Sequence, residues 1–271
     1  MVMNRQSALE AFQKYVDRYD TEDIKIRLKI EHTYRVAEIS SRIGASIGAD
    51  ADFSWLLGLL HDIGRFEQVR KFGTFKDGVS VDHAELGADI LFSEGLIDTF
   101  PEDVFTISDA VNEVHGGGRF IAETAVRLHN KLELPDLDAV TTRYCKILRD
   151  ADKIDIFRVL TEPPYDERNR RVIDSSKGSY DGTSSVTGAS DDVMRCVLEH
   201  RCVPKNFAQT DFESLISQCC MAFELCFPMS RKIAKEQGYL DRLMNLEVAN
   251  EVMAEQLRIL RTERKRAWEE E

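Results

Sequence analysis

Proline is scarce in this sequence and unevenly distributed. The 271 residues contain 6 prolines, and none precedes Pro101. Proline breaks helices and interrupts central strands. A long proline-free segment that also carries apolar residues at helical spacing favours a helical protein. Because the alternation typical of strands is weak throughout, we predict an all-α fold.

Long hydrophobic segments are also lacking. No apolar run approaches the roughly 20 residues that span a bilayer, and the longest compact one, Trp55–Leu60, is typical of a buried core segment. The residues Met1 to Arg5 contain no apolar stretch of the kind found in signal peptides. We therefore expect a cytoplasmic protein that does not bind a membrane.

The cysteines lack the C-x-x-C spacing of zinc knuckles. Most of them fall on predicted amphipathic helices, so we expect small buried apolar side chains in a reducing compartment. They are Cys145, Cys196, Cys202, Cys219, Cys220 and Cys226.

Positive charge is in deficit, with 36 Lys and Arg against 48 Asp and Glu and a formal net charge of −12. A protein that binds nucleic acid without regard to sequence needs a basic face. The charge balance therefore argues against long nucleic acid as a partner. It leaves room for a local basic pocket.

The length fits one large domain or two small ones. The clearest break is residues 175–190, in which 11 of 16 residues are Ser, Thr or Gly, a composition typical of flexible loops. We predict a helical core over residues 1–172, a flexible loop over residues 173–190, and helices over residues 191–271. These last helices pack on the core or form a dimer contact, which leaves a homodimer possible.

Apolar periodicity predicts the helices in more detail. In the core they cover residues 8–16, 24–47, 52–66, 83–92, 104–115, 122–132 and 141–160. After the loop they cover residues 191–200, 211–226, 229–237 and 246–268. Residues 67–82 are rich in Gly, Lys and Asp and are predicted as a loop.

The polar pair His61-Asp62 directly follows the apolar run Trp55–Leu60. Burying two polar groups without partners costs several kcal/mol, so a metal ion or a hydrogen-bond network must compensate. His32 upstream and Asp152 downstream complete a set of two imidazoles and two carboxylates. Such a set suits a divalent metal such as Mn, Fe, Mg, Zn, Co or Ni, and it leaves positions open for water and a substrate oxygen.

These residues, in this order, resemble the HD-domain superfamily of metal-dependent phosphohydrolases. His61–Arg65 is similar to the HDIGK signature of HD-GYP proteins, with Arg65 in place of lysine. His83–Leu91 is similar to the helix that supplies a further metal ligand there. The resemblance covers about residues 22–160 and implies an HD-domain helical bundle followed by additional C-terminal helices.

The resemblance also implies which residues hold one or two divalent metal ions. His32, His61, Asp62 and Asp152 would hold the first ion. His83 and His115 would hold the second, with Asp62 bridging.

It further implies that Asp62, Arg65 and Lys153 take part in catalysis. Arg65 stands where a basic residue binds phosphate, Lys153 would reach a substrate phosphate, and Asp155 would orient a metal ligand.

Several of these residues have alternative roles. Asp150 competes with Asp152, although the family pattern selects Asp152. His83 could bind phosphate directly, and His115 could complement a helix dipole. His129 and His200 match no motif and are interpreted as surface or core residues.

The chain departs from several members of the superfamily. Gly116 follows His115 where HD-GYP proteins have a second histidine, and no Gly-Tyr-Pro occurs. Arg65 and Phe66 occupy the place of the acidic pair of guanosine tetraphosphate hydrolases, and Arg65 also displaces the acid expected in 5'-deoxynucleotidases. We therefore predict a metal-dependent phosphohydrolase for a small phosphorylated substrate, with a nucleotide as the favoured class. The alternatives are a di-iron HD-domain oxygenase resembling myo-inositol oxygenase and a non-catalytic nucleotide-sensing HD domain.

Overall fold

The computed structural model describes residues 4–101, 105, 117–177 and 188–269. Every regular element within these ranges is helical, and no strand occurs among them. The prediction of an all-α fold is therefore confirmed.

The chain divides into two compact units, Met1–Asp152 and Lys153–Glu271. The helices that lie in or begin in the first unit are α1 (Arg5–Val16), α2 (Ile24–Ser46), α3 (Ala51–Leu60), α4 (Ile63–Phe72), α5 (His83–Ala88), α6 (Gly117–Leu128) and α7 (Ala139–Val159). Short 3-10 helices cover Asp77–Val79 and Leu96–Thr99, and a π-helical turn, Asp89–Ser93, continues α5. The unit boundary falls inside α7.

The second unit continues with α8 (Glu167–Ser176), α9 (Asp191–Leu198), α10 (Asp211–Cys220), α11 (Pro228–Gln237), α12 (Tyr239–Met244) and α13 (Glu251–Glu269). A 3-10 helix, Met221–Glu224, follows α10. The predicted division at residues 172 and 190 stays a prediction.

Helix α3 lies at the centre of the first unit. Every residue from Phe53 to Leu60 is buried, as expected for a helix that is apolar all round. Gly58 allows α3 to approach α2 closely, because a Cβ atom at this position would lie only 2.5 Å from the Cα of Ala37. This contact brings the end of α3 beside the middle of α2.

The single helix predicted over residues 52–66 is wrong. Helix α3 ends at Leu60, α4 begins at Ile63, and His61 and Asp62 form the turn between them. Asp62 has φ −105° and ψ 17°, outside helical geometry. Apolar residues continue at helical spacing across this turn, so periodicity concealed it.

The loop predicted over residues 67–82 is also too long. Helix α4 continues to Phe72 and ends at Gly73, whose φ of 62° lies in the left-handed region that favours glycine. At the other end of α4, a Cβ atom on Gly64 would collide with the carbonyl oxygen of His83. This close approach places the start of α5 beside the His61-Asp62 turn.

The second unit differs from prediction at several boundaries. Helix α8 reaches into the predicted flexible loop, since Ser176 is buried and its hydroxyl accepts a hydrogen bond from the backbone of Ala249. Residues 178–187 of that loop lie outside the described residues. The periodicity missed α12, and α13 begins at Glu251 rather than at residue 246 because Asn250 caps it through the backbone N–H of Met253.

Helix α13 buries its apolar face within its own unit. Met253, Leu257 and Leu260 are at most 1 % exposed, whereas Val252 is 55 % exposed. Packing of this helix on the same chain was one of the two expected arrangements. The homodimer stays a prediction.

The cysteines follow the expectation only in part. Cys145, Cys196, Cys219 and Cys220 are buried, Cys202 is partly exposed, and Cys226 is exposed because it lies in the surface connection before α11. Across the described ranges, no helix has the length and apolarity needed to cross a membrane.

Candidate metal centre

The first group of candidate ligands joins α2, the turn after α3, and α7. The Nε2 atom of His32 lies 3.3 Å from Nε2 of His61, 3.5 Å from Oδ2 of Asp62 and 3.1 Å from Oδ1 of Asp152. His61 Nε2 lies 3.4 Å from the same Asp62 oxygen and 3.7 Å from Asp152 Oδ1. His32 and His61 are fully buried, and Asp62 is 2 % exposed.

These spacings fit ligands that surround one ion. Adjacent ligand atoms at about 2.1 Å from an octahedral divalent ion lie roughly 3 Å apart. The five separations given above, 3.1 to 3.7 Å, are close to that value. The first group can therefore close on a single cation with small side-chain adjustments.

The second group uses the other oxygen of the same aspartate. Asp62 Oδ1 lies 3.6 Å from His83 Nε2 and 3.9 Å from His129 Nε2, and the two histidine nitrogens are 3.0 Å apart. Asp62 thus directs one oxygen to each group, which is the arrangement of a bridging carboxylate. His115, the other residue expected here, lies outside the described residues.

His129 is the candidate ligand that the sequence reasoning missed. The sequence pattern alone indicates a surface or core residue without partners, whereas the ring of His129 is buried and its Nε2 atom faces the second group. No motif marks it. The available signal was its helical register, because it follows the buried residues Ala122, Ala125 and Val126 on one face of α6.

The opposite ring nitrogens determine which tautomer each histidine adopts. His61 Nδ1 lies 2.7 Å from the Gly58 carbonyl, and His129 Nδ1 lies 2.7 Å from the Val126 carbonyl. His83 Nδ1 lies 2.9 Å from the carboxylate of Asp77. Carbonyl and carboxylate oxygens only accept hydrogen bonds, so Nδ1 carries a proton in each of these rings, and in a neutral ring Nε2 then presents a lone pair.

The second group therefore contains an unsatisfied pair of acceptors. Burial, with His83 and His61 nearby, lowers the pKa of His129 to about 3, and burial together with Arg65 lowers the pKa of His83. Both rings are neutral at pH 7, and their Nε2 lone pairs face each other across 3.0 Å. A cation that both nitrogens bind removes this conflict, so the donor set fits a divalent metal.

Comparison with known families identifies the fold around these groups. Residues 30–156 match the model of the HD domain family. Residues 30–156 of the chain therefore form an HD domain. The resemblance to the HD-domain superfamily of metal-dependent phosphohydrolases is thereby confirmed. Comparisons with curated proteins and with solved structures gave no match.

The matched segment contains every candidate ligand described above. HD domains bind divalent metals, and most members of the family are metal-dependent hydrolases. The ligands are His32, His61, Asp62, His83, His129 and Asp152.

Two cationic side chains flank the shared aspartate of this HD domain. Lys29 Nζ lies 2.6 Å from Asp62 Oδ2, and Arg65 Nε lies 3.6 Å from Oδ1. Burial favours the neutral carboxyl, but Lys29, His61 and Arg65 outweigh it and hold the pKa of Asp62 well below its usual range. For Asp152, burial is likewise outweighed, here by His32 and His61, so its pKa is also lowered. Both carboxylates are therefore ionised at neutral pH.

Lys29 is a second residue that the sequence reasoning missed. It precedes His32 by three residues, so both lie on the same face of α2. The Lys29 ammonium lies 5.4 Å from the ring centroid of Phe75, and the Arg65 guanidinium lies 5.6 Å from the same centroid. Phe75 thus contacts both cations beside Asp62.

The structure holds the Arg65 guanidinium at the edge of the two groups. Its Nη1 donates to Asp77 Oδ1 at 2.9 Å, to the Phe75 carbonyl at 2.7 Å and to Gln68 Oε1 at 2.7 Å. Its Nε is buried and has no hydrogen-bond partner among the described residues. This nitrogen lies on the side of Arg65 that faces Asp62, 3.6 Å from its Oδ1 atom.

The remaining candidates lie on α7. Lys153 Nζ forms an ion pair with Glu224 Oε2 at 2.6 Å inside the second unit, so its contact with a substrate phosphate stays a prediction. Asp150 and Asp155 are both fully buried. The role of Asp155 in orienting a ligand also stays a prediction.

Proposed function

We propose that this HD-domain protein is a metal-dependent phosphohydrolase that acts on a small phosphoester, with a nucleotide as the favoured substrate class. The observation that carries the proposal is the pair of ligand groups that share Asp62. Histidine and carboxylate ligands that leave coordination positions open are typical of hydrolytic metal sites.

The charge of the loaded site supports an anionic substrate. The two groups contain the carboxylates Asp62 and Asp152, and two divalent cations carry twice their charge. Lys29 and Arg65 add further positive charge, of which Asp77 offsets a part. A phosphoester balances this excess, whereas an uncharged polyol does not, which favours a phosphohydrolase over an oxygenase.

The side chains of the site would have different roles in hydrolysis. His32, His61, Asp62 and Asp152 would hold one ion, and Asp62, His83 and His129 would hold another. When bound, such ions polarise phosphoryl oxygens and lower the pKa of water enough for it to attack at neutral pH. The Nε donor of Arg65, which has no hydrogen-bond partner among the described residues, and the Lys29 ammonium would stabilise charge on the phosphoryl oxygens.

The proposal retains three expectations from the sequence. Lys153 would contact the substrate phosphate, His115 would add a ligand to the second ion, and the chain would form a homodimer. Long nucleic acid is not proposed as a partner.

Release of inorganic phosphate tests the proposed function. We would assay a panel of nucleotides and other small phosphoesters with Mn²⁺, Mg²⁺, Ni²⁺ and Co²⁺, using wild-type protein and an Asp62→Ala variant. We expect release by the wild type with at least one metal, and a loss of at least about 100-fold in the variant, because Asp62 serves both ions.

A matched control is Asp98→Ala, which removes an exposed aspartate paired with Arg119. It should leave phosphate release unchanged. Absence of release with every metal, or equal release by wild type and Asp62→Ala, would contradict the proposal. Oxygen uptake by an iron-loaded preparation in place of phosphate release would favour the oxygenase.

A further inference from the structure

His83 differs from its neighbours in how its Nδ1 proton is held. His61 and His129 each donate from Nδ1 to a backbone carbonyl three residues earlier, at Gly58 and Val126. The helix that precedes each of these two rings supplies its acceptor. His83 is the first residue of α5 and has no helical turn before it.

A side chain from the preceding connection replaces that carbonyl. Asp77 lies in the 3-10 turn of the connection between α4 and α5, residues 73–82, which we term the Asp77 segment. Its Oδ2 and Oδ1 atoms lie 2.9 Å and 3.0 Å from Nδ1 of His83. The tautomer of this one ring therefore depends on the Asp77 segment rather than on a helix.

The Asp77 carboxylate also binds Arg65, the residue that is the candidate for phosphate binding. Asp77 Oδ1 accepts hydrogen bonds from Arg65 Nη1 and from Gln68 Nε2, both at 2.9 Å. Gln68 is fully buried on α4, and its amide also donates to Ser80 Oγ and to the Val81 carbonyl. These bonds fasten the Asp77 segment onto α4, so Asp77 reaches His83 from a fixed position.

We propose that Asp77 is a positioning residue that fixes the Nδ1–H tautomer of His83, and thereby presents Nε2 to the second cation, while it holds Arg65 in place. The consequence for metal binding rests on the proposed function. The two groups then differ in what supports them. The second group depends on the Asp77 segment through His83, whereas His129 in the same group and His61 in the first group are each oriented by the helix that precedes them.

Imidazole ¹⁵N NMR on the metal-free protein tests the tautomer directly. We expect His83 to be a neutral Nδ1–H ring in the wild type and a mixture of neutral tautomers in Asp77→Ala, with His61 and His129 unchanged. Asp77→Asn keeps an acceptor oxygen without the charge and should give an intermediate result. A His83 ring that remains fully Nδ1–H in Asp77→Ala would overturn the proposal.

Mn²⁺ titration calorimetry tests the consequence for the second group. Loss of a carboxylate that orients a histidine ligand lowers metal affinity about 10- to 100-fold. We expect this loss for the second ion in Asp77→Ala and an unchanged first ion, which also shows that the variant is folded. Asp98→Asn is the control for loss of a negative charge and should bind as the wild type does.

Failure of the proposed function and failure of the inference about Asp77 give different experimental results. If the wild type binds none of Mn²⁺, Mg²⁺, Ni²⁺ and Co²⁺, the proposed function is wrong, and the NMR comparison still decides the role of Asp77. If the wild type binds two ions and Asp77→Ala binds both with unchanged affinity, the inference fails and the proposed function stands.

Discussion

At the scale of single residues, Asp62 is the centre of the candidate site. It is 2 % exposed, its two oxygens face different ligand groups, and Lys29 and Arg65 lie beside them. In the metal-free protein these cations keep a buried carboxylate ionised. A buried charge that loses its partner is strongly destabilising, because desolvation is no longer offset.

Replacing Lys29 tests this role. We expect Lys29→Met to lower the free energy of unfolding of the metal-free protein by about 3 kcal/mol, the usual cost of breaking a buried ion pair. Saturating Mn²⁺ should reduce the difference in the free energy of unfolding between the variant and the wild type, because a divalent cation then neutralises Asp62. Urea unfolding with and without Mn²⁺ measures both effects.

The matched control is Lys25→Met on the same helix, whose ammonium donates to the backbone carbonyl of Gly73 at 2.7 Å. It should change stability by less than about 1 kcal/mol. Equal losses in the two variants, or a loss in Lys29→Met that Mn²⁺ does not reduce, would show that Lys29 does not neutralise Asp62.

The sequence revealed those residues of the site that carry a motif. The order of His32, His61-Asp62 and Asp152 is enough to group them, and the structure brings them together. His129 and Lys29 belong to no motif, and only the packing of α6 and α2 places them at Asp62. Residues supplied by tertiary contact need the fold before they can be recognised.

At the scale of helices, the site depends on two close approaches. Gly58 lets α3 lie against α2, and Gly64 lets α4 lie against the start of α5. The contact at Gly58 places His32 beside His61, and the contact at Gly64 places His83 beside Asp62. Helical periodicity predicted α2 and α7 nearly to their ends, but it concealed the break at His61-Asp62, because apolar residues continue across the turn.

Enlarging Gly58 should therefore disturb both the core and the first ligand group. Since the added Cβ atom meets the backbone of Ala37, α2 and α3 must separate. We expect Gly58→Ala to lower the free energy of unfolding by about 1–3 kcal/mol or more and to weaken Mn²⁺ binding at the first ligand group. Denaturant unfolding and Mn²⁺ titration measure the two effects.

Gly78→Ala provides the comparison, because a Cβ atom there meets no other atom within 4 Å. We expect this variant to retain stability and metal affinity. If Gly58→Ala is as stable as Gly78→Ala and binds Mn²⁺ equally well, the close contact of α2 and α3 does not set the spacing of His32 and His61.

At the scale of the whole molecule, the net charge disfavours a polyanionic partner, whereas the local charge of the site favours a small anion. The chain carries a formal net charge of −12, which argues against long nucleic acid as a partner. Two carboxylates beside two cationic side chains can nevertheless bind divalent ions and still attract a small anion. Composition predicted the class of partner to exclude, whereas only the arrangement around Asp62 indicates what the site would bind.

The HD domain match, residues 30–156, covers the ligands and leaves the later helices without an assigned role. The sequence did not predict α8, because it overlaps a Ser-rich segment. It did not predict α12, because that helix is only six residues long. Short elements of this kind depend on tertiary packing rather than on periodicity.

The number of Mn²⁺ ions bound per chain tests the central claim, that Asp62 is shared by two cation-binding groups. We would count them by equilibrium dialysis and elemental analysis, with circular dichroism to verify folding. The account predicts two ions for the wild type, one for His129→Ala and none at comparable affinity for Asp62→Ala. A folded Asp62→Ala variant that retains either ion at wild-type affinity, or a wild type that binds fewer than two ions, would contradict it.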